Sequence, residues 1–259
     1  MGKDKTVRLR KQPRYITPYN AQHIGQRDEQ QDYFAYSDIF NDAEYDRMGA
    51  VLVLADGMGG LDNGRLASRT ATDVFLSEYR ASADNMTDIN SRLIYAAHKA
   101  NTAVRRIDGA GTTLCAAIVK DWNLYWLSVG DSRLYLYRGG TVRRINTEHN
   151  YENVLNRMVQ NGEITPEEAL LNPNRAALTS YIGIEELEEI DINPDIFPLL
   201  PGDSIMLCSD GLYRALSDEE MAKIIRDADD DVCDLLIKRA IGKNIPAQDN
   251  ITVLLMDID

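Results

Sequence analysis

The sequence predicts a protein of the α+β class, in which antiparallel strands and helices form separate groups. Helical patterns fall mainly in two groups, near residues 64–107 and 217–241, with strand patterns before, between and after them. Most consecutive strands are joined by short turns such as Gly139-Gly140, and such turns favour antiparallel pairing. A series of parallel strands would need a longer crossover, usually a helix, between each strand and the next.

The first half of the chain contains two long amphipathic helices. Strand-like residues begin at Tyr15, and a polar turn over Asn41–Arg47 is predicted to precede the apolar strand Ala50–Ala55. Apolar residues recur at helical spacing over Gly64–Tyr79 and over Asn85–Ile107, which is typical of helices with one buried face. Strand patterns follow over Thr112–Val119, Leu124–Val129, Arg133–Arg138 and Thr141–Ile145.

The second half combines shorter helices with two buried strands. A helix is predicted over Tyr151–Asn161, and another begins at Thr165, which is followed by proline and two acids as in a capped first turn. Apolar runs predict strands over Ile205–Cys208 and Ile251–Met256. Two further helices are predicted near Ser217–Arg226 and Asp231–Ile241.

Length, charge and cysteine content indicate the setting of the protein. The 259 residues contain no low-complexity linker, so we expect a single domain over 15–259. The basic, polar residues before it predict a mobile tail over residues 1–14. The net charge of −13 makes the chain a poor general binder of nucleic acid or anionic membrane. Its three cysteines are odd in number and lack a C-x-x-C pair, so we expect free thiols in a reducing compartment, with the cytoplasm as the default.

The first residues of the chain allow a second interpretation. Met1–Thr6 fits the loose pattern for myristoylation at Gly2, and basic residues follow it, so a lipid and a basic patch together could anchor the protein to a membrane. The pattern is short and common. We therefore favour a solvated basic tail over a membrane anchor.

Three aspartates at the ends of apolar strands indicate a site of chemistry. Asp56 and Asp210 each come at the end of an apolar run, and Asp249 stands just before the last one. Carboxylates that converge at buried strand ends repel one another unless a cation lies between them. Oxygen ligands suit Mg²⁺ or Mn²⁺, whereas the histidines and cysteines lack the spacing of a zinc site. These residues alone predict a hard-cation site of unspecified use.

One segment resembles the central motif of a known enzyme family. Asp56–Gly60 (Asp-Gly-Met-Gly-Gly) resembles the central motif of the protein phosphatase 2C family, the metal-dependent serine/threonine phosphatases. Further segments resemble motifs of this family in the same order and extend the resemblance over about residues 20–257. These segments are 27–32, Gly111–Thr113, Val129–Arg133, Thr147–Asn150, 162–169, Leu178–Gly183, Ser209–Leu212 and Asp249-Asn250.

The resemblance implies a fold and a set of metal ligands. The implied fold is a four-layer αββα sandwich, with two antiparallel sheets packed together, helices outside each, and metal ions at one end between the sheets. Asp56 would bridge two Mn²⁺ or Mg²⁺ ions, and the carbonyl of Gly57 would bind one of them. Asp210 and Asp249 would complete the coordination of the other ion.

The resemblance also implies roles for three residues around these ions. Asp32 would bind an ion or orient its water, and Asp131 would hold a weaker third ion together with Asp210. Arg27 would clamp the phosphate of the substrate. Gln31 and Met58 depart from the pattern of many members. The Asp-Gly-Met-Gly-Gly form of the central motif resembles the bacterial, single-domain style of the family.

The implied activity is hydrolysis of phosphoserine and phosphothreonine in phosphorylated proteins, by water that two metal ions activate. A serine/threonine kinase is the expected opponent, and we expect the enzyme to be a monomer. Two alternatives stay open. One is a non-catalytic relative that binds phosphoproteins, against which the intact candidate ligands argue, and the other is a phosphatase of a small phosphate ester.

Overall fold

The computed structural model describes residues 16–59, 63–193, 195–228 and 231–259. The predicted basic tail over residues 1–14 lies outside the described residues, so it stays a prediction. None of the helices in the described part of the chain is both long enough and apolar enough to cross a membrane.

Strands and helices follow the grouped order that the sequence predicts. The strands, in chain order, are β1 (Ile16–His23), β2 (Asp32–Tyr36), β3 (Ala50–Met58), β4 (Gly111–Thr112), β5 (Leu114–Lys120), β6 (Asn123–Val129), β7 (Arg133–Arg138), β8 (Thr141–Arg144), β9 (Asp191–Ile192), β10 (Phe197–Pro198), β11 (Asp203–Cys208) and β12 (Ile251–Ile258). The helices are α1 (Asp42–Met48), α2 (Asn63–Ser82), α3 (Ile89–Val104), α4 (Tyr151–Gln160), α5 (Pro166–Leu170), α6 (Asp210–Tyr213), α7 (Asp218–Asp227) and α8 (Val232–Ile241).

The strands form two antiparallel sheets. The first has the strand order β1-β12-β11-β7-β8. The second has the order β10-β6-β5-β3-β2, with β4 paired to β3 and β9 paired to β6. Because the connections within each sheet include tight turns such as the one between β7 and β8, the pairing is antiparallel as predicted.

Alternation along β3 shows how the layers are packed. Val51 and Val53 belong to the apolar cluster that contains Phe75 of α2, whereas Leu52 and Leu54 belong to the cluster between the two sheets. Successive side chains of a strand point to opposite faces, so a strand covered on both faces is apolar throughout. This explains the continuous apolar run that ends at Asp56.

The first sheet is covered in the same way on its outer face. Leu254 of β12 packs between the sheets, while Val253 and Leu255 pack against Leu236 of α8. Helices α2 and α3 therefore cover one sheet and α7 and α8 the other, which confirms the four-layer αββα sandwich. Truncation of a buried leucine such as Leu254 to alanine is expected to cost about 2–5 kcal/mol in stability.

The predicted polar turn over 41–47 is wrong, because this segment forms helix α1. The Asn41 side chain accepts hydrogen bonds from the backbone N–H groups of Ala43 (3.1 Å) and Glu44 (3.2 Å), which caps the helix. Tyr45 and Met48 are the buried residues of this helix. Packing of these two side chains stabilises a helix that would be too short to persist alone.

Two other sequence predictions are confirmed. Thr165 and Glu168 form a capping box at the start of α5, in which Thr165 Oγ1 accepts from the Glu168 N–H (3.2 Å) and Glu168 Oε2 accepts from the Thr165 N–H (2.8 Å). Free thiols are present at all three cysteines, which are buried: Cys115, Cys208 and Cys233.

Candidate metal centre

The candidate ligands lie where strands of both sheets end. Asp56 is near the end of β3, and its register partner across the antiparallel pair is Asp32, the first residue of β2. Asp210 is the first residue of α6 and is separated from β11 by one residue, and Asp249 is separated from β12 by one residue. Strands of two packed sheets thus bring these carboxylates to one end of the sandwich.

A cleft of about 460 Å³ collects the predicted site residues. All of them except Asp32 line its wall; the lining members are Arg27, Asp56, Gly57, Asp131, Asp210 and Asp249. Asp32 is buried, with 3 % of its surface exposed, and lies behind the wall opposite Asp56.

Gly57 and Gly211 allow the backbone to approach closely at the cleft. A Cβ atom at Gly57 would lie 2.2 Å from the carbonyl oxygen of Gly64 and 2.7 Å from that of Gln31. A Cβ atom at Gly211 would lie 2.2 Å from the carbonyl oxygen of Asn250. No side chain fits at such distances, so the glycine after Asp56 and after Asp210 is a steric requirement.

Asp32 is held by hydroxyl groups from the other sheet. Its Oδ2 atom accepts hydrogen bonds from Ser209 Oγ (2.8 Å) and Thr252 Oγ1 (2.7 Å). Gln22 Nε2 donates to the same threonine hydroxyl at 2.9 Å, which orients that hydroxyl. The Oδ1 atom of Asp32 is buried and has no hydrogen-bond partner. One oxygen of the carboxylate is therefore fixed, and the other is available to a ligand.

The Gly-Thr-Thr segment fixes the backbone of Asp56. The Asp56 carbonyl accepts from Thr112 Oγ1 and from the Thr113 N–H, both at 2.9 Å, and the Asp56 N–H donates to Thr113 Oγ1 at 2.8 Å. Thr113 Oγ1 also lies 2.7 Å from Ser132 Oγ, beside Asp131 in the chain. This motif therefore positions the central aspartate and joins it to the segment that carries Asp131.

Asn250 holds the loop that carries Arg27. Its Oδ1 atom accepts from the Gln31 N–H at 2.7 Å, and its Nδ2 atom donates to the carbonyls of Ile24 (2.8 Å) and Glu29 (3.0 Å). These bonds tie both ends of the loop to the start of β12. Arg27 Nη2 consequently lies 2.7 Å from Asp249 Oδ2, at the mouth of the cleft.

Desolvation and mutual repulsion raise the pKa values of the clustered carboxyl groups. The pKa of Asp56 lies well above its ordinary value because of burial and then repulsion from Asp32, Asp210, Asp131 and Asp249. Burial raises the pKa of Asp32 to about 6, against the hydrogen bonds from Thr252 and Ser209 that lower it. Burial raises the pKa of Asp210 to about 7, although the charge of Arg214 opposes this rise. A cation among these groups would relieve the repulsion.

The donor set fits a hard divalent cation in its chemistry. The Oδ1 atoms of both Asp32 and Asp210 are buried without a hydrogen-bond partner, and such orphaned oxygens are costly unless something binds them. Within the described residues, however, no three His, Cys, Asp or Glu side chains are arranged to hold a metal ion together. Arginines hold two of the carboxylates instead, since Arg27 pairs with Asp249 and Arg214 with Asp210. Each of these two carboxylates therefore has one oxygen engaged by an arginine.

Asp131 lies beside an aromatic residue that follows Asp210. Tyr213 Oη donates to the Asp131 carbonyl at 3.2 Å, and the guanidinium carbon of Arg133 lies 3.6 Å from the centre of the Tyr213 ring. Burial raises the pKa of Asp131, and the charge of Arg214 again opposes the rise. The carboxylates of Asp131 and Asp210 therefore share one nearby cation.

Two contacts of the site lie outside the residues that the sequence singled out. Thr252 occupies a position in an apolar strand, where a hydroxyl gives no sign of its partner 220 residues away. The spacing of Arg214 could have indicated its contact with Asp210. It lies four residues after Asp210, and residues at this spacing are neighbours on a helix. That signal is informative only once α6 is known to be helical.

Comparison with known proteins gives consistent matches over most of the chain. A sequence model of the family described as Protein phosphatase 2C matches residues 20–237. The serine/threonine phosphatase stp of Listeria monocytogenes is 29 % identical over 220 residues, which cover 81 % of this chain and 84 % of that protein. A similar match is found to protein phosphatase PhpP of Streptococcus pneumoniae, 29 % identical over 81 % of this chain and 86 % of that protein.

Solved structures show the same fold. The serine/threonine phosphatase of S. agalactiae superposes with a TM-score of 0.77 at 26 % identity, over 95 % of this chain and all of that chain, 100 %. The catalytic domain of the serine/threonine protein phosphatase PstP, in complex with 2 manganese ions, superposes with a TM-score of 0.71 at 27 % identity, over 94 % of this chain and 99 % of that chain.

Proposed function

The chain belongs to the protein phosphatase 2C family, the metal-dependent serine/threonine phosphatases, and we propose that the acidic cleft around Asp56 is its catalytic centre. The observation that carries this proposal is the convergence of repelling, partly desolvated carboxylates on one cleft that also contains Arg27. Structural roles alone do not account for such a cluster, because its ionised form destabilises the fold unless a cation binds.

We propose that two Mn²⁺ or Mg²⁺ ions bind here, with Asp56 between them. The Gly57 carbonyl would contact one ion, and Asp210 and Asp249 would hold the other. Asp32, fixed through one oxygen, would present the other to an ion or its water. When bound, such ions lower the pKa of water and offset charge on the phosphoryl oxygens. Asp131 would hold a weaker third ion with Asp210.

Arg27 is proposed to bind the phosphate group of the substrate. Its side chain is 55 % exposed at the cleft, so it is free to exchange its partner Asp249 for a phosphate. A guanidinium binds phosphate through two parallel hydrogen bonds, which orients the group as well as binding it. Occupation of Asp249 by an ion would release Arg27 for this role.

Substrates are proposed to be phosphorylated proteins, and a serine/threonine kinase of the same cell their source. The curated relatives are serine/threonine phosphatases by name, which supports a protein substrate over a small phosphate ester. The buried free thiols and acidic surface are compatible with the cytoplasm, and we propose that the enzyme acts there as a monomer.

Phosphate release from a phosphothreonine peptide tests this proposal. We expect release with Mn²⁺, its loss in excess EDTA, and its return when Mn²⁺ is added back. The rates of phosphate release from a phosphoserine peptide and from a small aryl phosphate, measured at equal concentration, rank the substrate classes. Release that persists in EDTA would overturn the metal centre, and binding of the peptide without release under any divalent ion would indicate a non-catalytic relative.

A further inference from the structure

Arg214 is the nearest cation to the Asp210 carboxylate among the described contacts. Its Nε atom lies 3.0 Å from Asp210 Oδ2. Arg214 follows the single helical turn of α6, and its N–H donates to the Asp210 carbonyl at 3.0 Å. The four-residue spacing thus returns the guanidinium to the side chain of Asp210.

The same guanidinium also lies beside Asp131. Both residues line the cleft of about 460 Å³ that contains Asp56 and an adjoining cavity of about 410 Å³, so Arg214 stands where the two spaces meet. The other nearby carboxylate, Glu148, is already neutralised by ion pairs with Arg133 and Arg144. Arg214 is consequently the cation placed to serve Asp131 and Asp210 together.

The ion pair is built so that it can exchange. The Arg214 side chain is 55 % exposed, whereas that of Asp210 is 14 % exposed. Solvent-exposed guanidinium groups form weak pairs, so an incoming divalent ion can displace this one. Only one oxygen of Asp210 is engaged, because its Oδ1 atom is buried without a partner. The carboxylate can therefore receive an ion before Arg214 leaves.

We propose that Arg214 is a built-in counter-cation of the Asp131–Asp210 pair, which competes with the divalent ion that would bind between them. The proposal rests on the proposed metal centre. In the absence of an ion, Arg214 keeps two repelling carboxylates together. When an ion arrives, the arginine must move away or remain as a like charge nearby, and either effect weakens ion binding at this position. Asp210 is also a proposed ligand of one of the two ions at Asp56, but only the weaker site would depend on both carboxylates beside Arg214.

The proposal predicts a change in metal binding when Arg214→Gln removes the charge. Binding of Mn²⁺ is measured by electron paramagnetic resonance of the free ion, which counts bound ions without reference to activity. We expect the weakest class of Mn²⁺ sites to bind about tenfold more tightly in Arg214→Gln, because one positive charge near a divalent ion is removed. The tighter classes should change less, because Asp210 is the one proposed ligand of theirs that pairs with Arg214.

Arg175→Gln is the matched control. Arg175 lines the same adjoining cavity and is 40 % exposed, but it pairs with Glu152 and with neither Asp131 nor Asp210. This variant should leave the weakest Mn²⁺ class unchanged. An equal gain in both variants would mean a general charge effect and would overturn the proposal, as would no gain in Arg214→Gln.

The wild-type titration separates failure of this inference from failure of the proposed function. If wild-type protein binds Mn²⁺ at its tighter sites and Arg214→Gln leaves the weak class unchanged, only the role of Arg214 is wrong. If wild-type protein binds no Mn²⁺, the metal centre itself is wrong. A third variant, Arg214→Lys, keeps the positive charge. The Mn²⁺ affinity of its weakest class of sites should therefore lie within about twofold of the wild-type affinity.

Discussion

Asp32 and Asp56 are register partners at the end of the β2–β3 pair, so two carboxylates face each other across one antiparallel ladder. Like charges placed directly opposite in a sheet are destabilising. The hydroxyls of Ser209 and Thr252 bind one oxygen of Asp32, and the charge of Asp32 is one of the causes that raise the pKa of Asp56. When both groups are ionised, this relationship is a source of instability that a bound cation would relieve.

The first prediction concerns stability against pH in EDTA. In the folded protein the pKa of Asp32 is about 6 and that of Asp210 is about 7. Both groups therefore bind protons more tightly in the folded state than in the unfolded state. Their contribution to stability is thus fully present below the unfolded pKa of about 4 and is lost as the pH rises through about 6 and 7. Urea unfolding at pH 5 and pH 8 should show lower stability at the higher pH.

Two comparisons isolate the carboxylates from other titrating groups. Asp32→Asn should flatten the loss of stability between pH 5 and pH 8, since the amide does not ionise. Saturating Mn²⁺ should also remove the loss in wild-type protein, because the ion stabilises the ionised form. An identical pH dependence in wild type and Asp32→Asn would contradict the role assigned to this residue.

A second prediction concerns the hydroxyl that orients Asp32. Thr252→Val keeps the shape of a fully buried side chain but removes the hydrogen bond to Asp32 Oδ2. Outer partners of metal ligands typically contribute a factor of about 10–100 to affinity, so Mn²⁺ binding should weaken at least about tenfold. Isothermal titration calorimetry measures this change directly.

Thr72→Val is the control for this substitution. Thr72 is also fully buried, and its Oγ1 atom has no hydrogen-bond partner, so the change removes a hydroxyl that binds nothing. Its Mn²⁺ affinity should equal that of wild type. Equal affinities for all three proteins would show that the Thr252 hydroxyl does not support the site.

The third prediction separates substrate binding from chemistry at Arg27. Arg27→Ala should raise KM for a phosphothreonine peptide by about 10-fold or more with little change in kcat, because a charge-assisted contact is worth about 1.5–3 kcal/mol. Steady-state kinetics under saturating Mn²⁺ provide both constants. Arg226→Ala is the control for this variant. The Arg226 side chain is 55 % exposed, as is that of Arg27, but its ion pair is with Asp227. A fall in kcat alone for Arg27→Ala would argue against phosphate binding.

Much of this site could be predicted because buried strands end abruptly at charged residues. The apolar runs before Asp56 and Asp210 locate β3 and β11, and the end of a buried strand is held rigidly by its neighbours. Periodicity likewise located α2 and α3, although their observed bounds differ by a few residues. These features depend on local sequence, which a pattern can reveal.

What could not be predicted depends on register and on weak local signals. The bond from Thr252 to Asp32 joins residues on different sheets, so the strand pairing must be known first. Seven residues provide too little periodicity to indicate helix α1, although Asn41 is a good cap. The pairing of Arg214 with Asp210 could not be predicted for the same reason, since α6 is a single turn.

Asp56→Asn tests the central claim most directly, with kcat on a phosphothreonine peptide and bound Mn²⁺ measured on the same sample. Asparagine keeps the shape of the side chain and removes the charge proposed to lie between two ions. We expect kcat to fall at least about 100-fold, with loss of the tight Mn²⁺ sites, because Asp56 would hold the ions that lower the pKa of the attacking water. Wild-type kcat and wild-type Mn²⁺ binding in a folded Asp56→Asn protein would contradict the account.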